Sequence, residues 1–298
     1  MADAVVLVSG GAAVTPFTDT DRAAASGLAA GNTMTALRQH LRTAGAAVFT
    51  APARIGAGTV ERDAGWQGFD DVPVVLPAEL TINAVGSIDV AGGSLAAFLR
   101  WLSTEHGLRS VDLVGHSMGG LFSRAAIREL AGDGPRVERL VTLGTPWDGS
   151  VLGDLLDGEI TEDDAHGDPA TGQIFAEARP YAAANSEGAA AEVSRRFLRG
   201  WNQAQAGVLD GIPVTVIGAG YFSAATEPSQ LWPHDGLVSL CSGRADHVPA
   251  AVLPRVTRHS FAAHVHSIFF AEAFGLPWER ALTWDPTVFA VVDDALGR

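Results

Sequence analysis

The chain has 298 residues, 47% of them hydrophobic and 18% charged, which excludes a disordered or fibrous protein and suffices for the core of one large α/β domain. A formal charge of −14 opposes any polyanionic partner, so nucleic acid and anionic membrane surfaces are excluded. The single cysteine, Cys241, leaves no intramolecular disulfide and no multi-cysteine metal site, and no apolar run approaches the roughly 18 residues that a membrane-spanning helix needs.

In chain order, Val5-Val6-Leu7-Val8 is a continuous β-rich run of the kind buried in a parallel sheet, ending in Ser9-Gly10-Gly11. Met1-Ala2-Asp3-Ala4 lacks a basic stretch, an apolar segment and a cleavage site. The expectation is therefore a cytoplasmic protein if the chain is complete as written, or a secreted one if it is a mature chain. Residues 31–44 carry Met34, Leu37 and Leu41 on one helical face and stop at Gly45, and 46–50 form the next strand. Residues 51–86 are a Gly/Pro-punctuated loop with Trp66 and Phe69, long enough to roof a site.

Leu95, Phe98, Leu99 and Leu102 recur at helical spacing up to Gly107. Val111 to Val114 form a strand, 121–130 a helix, and 137–143 a strand ending in Gly144-Thr145-Pro146-Trp147-Asp148-Gly149-Ser150. Residues 151–210 break the alternation with an acidic patch and Ala-rich stretches, including a helix around 191–203, and read as a helical cap or lid inserted over the sheet. Residues 212–217 return to strand, Ala251-Val252-Leu253 begins another short apolar segment, and 267–276 and 287–297 are closing helices. Alternating strands and helices with connections of this length predict a single α/β domain over 1–298, its mostly parallel sheet covered on both faces.

Between the strand at 111–114 and its helix lies Gly115-His116-Ser117-Met118-Gly119. A Gly-x-Ser-x-Gly turn from strand to helix strains the serine backbone and lifts its hydroxyl above the sheet, so Ser117 is the candidate nucleophile. A serine needs a base, and the base needs an acid that fixes its tautomer, arriving in the chain order Ser, acid, His. The acid is Asp235, on an Asp-Gly turn, with Asp148 as the rival. The base is one of His247, His259, His264 and His266. Three of these, His259, His264 and His266, lack a nearby carboxylate to complete a metal ligand set. His116 packs near the site. The N–H groups of Met118 and of the first loop, around Gly10-Gly11, are candidate oxyanion donors.

In these segments the chain resembles the bacterial true lipases of the α/β-hydrolase fold, the Pseudomonas and Burkholderia group. Val5–Gly11 is similar to their first strand and oxyanion loop, Gly115–Gly119 to their elbow, and Gly144–Ser150 to the segment before their lid. Gly211–Pro213 is similar to the strand after that lid, and Asp235–Val238 with Cys241-Ser242 to their acid loop. His266, with Phe274-Gly275-Leu276 and Asp285-Pro286 beyond, stands where their catalytic histidine stands, so the resemblance selects it over His264. It implies an α/β-hydrolase fold and a serine carboxylic-ester hydrolase, lipase or esterase. In that reading Ser117, Asp235 and His266 are catalytic, Gly11 and Met118 form the oxyanion hole, and Trp147, Trp66 and His116 line the site of a small acyl-ester substrate. The same triad also serves acyltransferases, thioesterases and lactone-forming enzymes, and the different-class alternative is a non-catalytic hydrolase-fold binding protein. Ser9 and Trp147 replace two histidines of the pattern, and the cysteine that would pair with Cys241 is missing. Ile268 stands where those lipases place a calcium-binding aspartate. No metal, cofactor, nucleic acid or stable membrane insertion is therefore expected, and no pattern for a particular oligomeric state is present.

Overall fold

The computed structural model describes residues 2–13, 33–59, 77–184, 188–223 and 230–298. Six strands form one parallel sheet: β1 (Ala4–Val8), β2 (Val48–Thr50), β5 (Ser110–His116), β6 (Arg136–Leu143), β7 (Val214–Ala219) and β8 (Val256–Phe261), in the spatial order β2-β1-β5-β6-β7-β8. Two short strands in the long loop, β3 (Ala53–Arg54) and β4 (Ile82–Asn83), pair in parallel beside it. The remainder of that loop, with Trp66 and Phe69, lies outside the described residues.

Alternation along the strands divides the core. Val6, Val8, Leu113 and Leu140 face the helices α2 (Ile88–His106) and α3 (Met118–Leu130), whereas Val5, Leu7, Val114, Val141 and Leu143 face α1 (Thr35–Thr43) and the last helix, Pro286–Leu296. Both faces of β1, β5 and the end of β6 are thus buried, which is why these strands read as unbroken apolar runs. The serine of the N-cap, Ser87, accepts the amide of Val90, and Gly107 closes α2 in the left-handed region at φ 67°. Between those ends Leu95, Phe98, Leu99 and Leu102 are buried, each contributing about 1.5–3 kcal/mol.

Among its described residues, the segment 151–210, expected as a cap, holds four α-helices: α4 (Val151–Asp157), α5 (Pro169–Ala184), α6 (Ala189–Glu192) and α7 (Arg195–Ala204). The helix expected at 191–203 is two. Ser194 accepts the amide of Phe197 as a new N-cap and starts α7, so the chain turns between them. The short apolar segment that begins at Ala251-Val252-Leu253 leads into a strand, β8, that starts at Val256. It carries Arg258, His259 and Ser260 because β8 is an edge strand, mostly solvated, placed by its backbone pairing with β7. The closing helices are α9 (Ile268–Ala273) and α10 (Pro286–Leu296), with the short α8 (Leu240–Gly243) before β8.

Candidate active site

Ser117 sits between β5 and α3 with φ 54° and ψ −131°, a conformation that side-chain-bearing residues rarely adopt. The surroundings hold it there: its N–H donates to Leu143 O at 2.9 Å, and its carbonyl accepts the Thr145 hydroxyl at 2.7 Å. The flanking glycines are a steric requirement. A Cβ on Gly119 would stand 2.1 Å from Val8 O, and one on Gly115 2.6 Å from the Gly120 nitrogen.

Asp235 and His266 come from two loops beyond the C-terminal ends of β7 and β8 and meet as a buried pair, with His266 Nδ1 2.8 Å from Asp235 Oδ2. The other carboxylate oxygen accepts the amides of Leu237 at 3.0 Å and Val238 at 2.8 Å, which fixes the carboxylate plane. The backbone ties the loops as well, since the His266 amide donates to Asp235 O at 2.8 Å. A carboxylate accepts, so His266 carries its proton on Nδ1 and presents the Nε2 lone pair. That Nε2 is buried and without a hydrogen-bond partner. Gly144 lies against the pair; a Cβ there would reach within 3.0 Å of His266 Nδ1.

His116 is buried beside this pair. Its Nε2 lies 2.9 Å from His266 O and its ring 4.7 Å from the His266 ring. The acceptor is a carbonyl, so Nε2 is the protonated nitrogen. Desolvation, with the neighbouring His266 adding to it, pulls the His116 pKa down to about 3, so this ring stays neutral.

The other candidates separate. His264 pairs with Asp285 and anchors the histidine loop to the N-cap of α10. Asp148 lies 3.6 Å from His247 and accepts no bond from His266. His259 is on the edge strand. Among the described residues, no three His, Cys, Asp or Glu side chains converge as a metal would need, and no helix is long and apolar enough to cross a membrane.

A cavity of about 410 Å³ opens on Ser117 and His266. Ser9, Gly10, Gly11 and Met118 form its floor, and a Cβ on Gly10 would lie 2.5 Å from Ser117 Cβ, so the first loop is packed directly on the serine. Its walls are apolar: Pro146, Leu152, Ile174, Val193, Leu237 and Phe270. Phe269 (51% exposed) and Tyr181 (39%) stand at its mouth. Trp147 does not line it. Its side chain turns into the core under α3, where the indole N–H donates to Thr142 Oγ1 at 3.1 Å and the ring stacks 4.3 Å from the Arg124 guanidinium, with Trp201 on the other side at 4.6 Å. Its neighbour Pro146 takes the wall position. Sequence reasoning also missed Tyr181 and Phe269; an exposed aromatic after an Ala-rich helical stretch, and a Phe-Phe pair of which α9 buries only one, were the available signals.

A six-stranded parallel sheet covered on both faces, with a strained serine at the turn after a central strand, defines an α/β hydrolase fold. Residues 94–162, which include that turn, match the PGAP1-like alpha/beta domain family. The chain is similar to the mature Bacillus licheniformis lipase BlEst2 at 17% identity and a TM-score of 0.52, covering 99% of this chain and 91% of that one. It is similar at 14% identity, again with a TM-score of 0.52, to the Listeria innocua product of gene lin2722, over 99% of this chain and 94% of that one. At these identities the likeness is one of fold. No curated protein matches the chain.

Proposed function

We propose that the protein is a serine carboxylic-ester hydrolase. The observation that carries this is a strained serine and an oriented histidine, its Nε2 unpartnered, on the wall of one apolar cavity. In this reading Ser117 Oγ attacks the ester carbonyl while His266 Nε2 takes its proton, and Asp235 holds the imidazole in the Nδ1–H tautomer and stabilises the cation that forms. The N–H groups of Gly11 and Met118, the latter at the start of α3, face the developing oxyanion. His266 returns its proton to the leaving alcohol, and water resolves the acyl-enzyme by the same steps in reverse order. The acyl group occupies the apolar walls between α5 and the 237–238 loop.

The test is a series of initial rates on p-nitrophenyl esters with acyl chains of two to about sixteen carbons, compared with Ser117→Ala. The expected result is turnover that peaks at medium or long chains and falls at least about a thousandfold in the variant. Rates unaffected by Ser117→Ala would overturn the proposal.

A further inference from the structure

The charge around the cavity selects among esters, an inference that rests on the hydrolase reading of the same site. Among the described lining residues, apart from the two histidines, Glu177 on α5 is the only ionisable acid or base other than a phenol, and none is an arginine. Its carboxylate is exposed, and its Oε1 accepts the Gln173 amide at 2.9 Å. Tyr181 follows one turn later on the same face of the helix, also at the mouth. The background has the same sign: residues 151–204 contain ten Asp and Glu against four Arg. Three of those arginines are already paired with carboxylates of the same segment, Arg179 with Glu162, Arg195 with Asp154 and Arg196 with Glu159. The fourth, Arg199, lines a separate polar cavity with Asp148 and His247.

A negatively charged mouth repels an anionic substrate on approach and again when the ester is seated, while an exposed carboxylate one helical turn from an aromatic face is a seat for a cation. We propose that the site takes esters whose alcohol portion is cationic or uncharged and discriminates against esters that carry a negative charge, with Glu177 as the specificity-determining residue. Acyl groups carried on phosphate-bearing thiols or phosphodiesters are then poor substrates, whereas trimethylammonium-type alcohols are favoured.

Three phenyl butyrates of matched shape, with trimethylammonium, tert-butyl or carboxylate at the meta position, test this in the wild type and Glu177→Gln. Glutamine keeps the Gln173 contact, and comparing each ester's kcat/KM relative to the tert-butyl ester before and after substitution cancels differences in intrinsic reactivity. The expected result is a cationic-to-neutral ratio that falls about three- to tenfold in Glu177→Gln and an anionic-to-neutral ratio that rises by a similar factor, both effects shrinking in about 0.5 M salt. Binding of the same esters to Ser117→Ala, with and without Glu177→Gln, is measured by calorimetry in parallel. Charge-ordered binding without turnover in the wild type would refute the hydrolase reading and retain the charge selection. Ratios and affinities that ignore residue 177 would overturn the selection and leave the hydrolase reading standing.

Discussion

The strained turn at Ser117 and the pairing of Asp235 with His266 were legible in the sequence for different reasons. The elbow is local: strand, Gly-x-Ser-x-Gly and helix are contiguous, so one window of residues carries the whole geometric argument. Asp235 was preferred to Asp148 on its turn and the apolar pair after it, and His266 to His264 on resemblance alone; the two are brought together by loops that meet only in the fold. His116 shows what a sequence withholds. It was expected as a pocket residue and does line the cavity, yet its contact is with the backbone of the histidine loop. A buried carbonyl that loses its donor costs about 1–3 kcal/mol. His116→Leu is therefore expected to lower kcat about tenfold with little change in KM, by letting the His266 loop relax, and to shift the acidic limb of the kcat/KM profile. His116→Gln, which keeps a donor, is expected to restore most of both. Equal losses in Leu and Gln variants across pH would show that the ring only fills space.

At the scale of elements, the central strands and α2 were readable because burial on both faces, or on one helical stripe, writes itself as an apolar pattern. β8 left no such pattern to read because an edge strand needs none, and Trp147 was misjudged because an aromatic beside a site motif can turn either way. Here the way is set by Arg124, buried without a carboxylate and held between two indoles. The inserted helices are held by a clasp equally invisible in sequence: Asp154 of α4 accepts the Arg195 amide at 2.7 Å and pairs with its guanidinium at 3.0 Å, both side chains buried. Burial raises the Asp154 pKa to about 6, against the pull of Arg195. Removing one partner of a buried pair strands the other, so Asp154→Ala is expected to destabilise by about 3–5 kcal/mol in urea denaturation, more than Asp154→Asn, which still accepts the amide. Equal midpoints for the two variants would mean that the clasp contributes no more than its volume.

For the whole molecule, these buried groups set how stability responds to acid. His234, adjacent to Asp235, accepts the Gly236 amide on Nδ1 at 3.2 Å, while its Nε2 lies 3.1 Å from Thr171 of α5, whose hydroxyl in turn donates to Asp168 at 2.7 Å. Desolvation lowers its pKa to about 4, and that of His116 to about 3, from 6.5. Both are neutral in the native state and protonate in the unfolded chain below pH 6.5, so their contribution is complete above that pH and is lost as pH falls toward 4. Asp154 has the opposite sign. Its raised pKa means that the native state holds a proton between the usual 3.8 and about 6, so its contribution grows as pH falls through that window. A pKa that differs by one between native and unfolded chain is worth about 1.4 kcal/mol, so two histidines that must gain a proton outweigh one carboxyl that already holds it. From these three groups a net loss of stability between pH 6.5 and 4 is expected, read as a falling urea midpoint. His234→Gln removes one titrating group, and its stability should fall less steeply than the wild type's over the same interval, whatever its absolute stability. Parallel curves for the two proteins would show that His234 is not held neutral in the native state, and the link it makes between the acid loop and α5 would have to be redrawn.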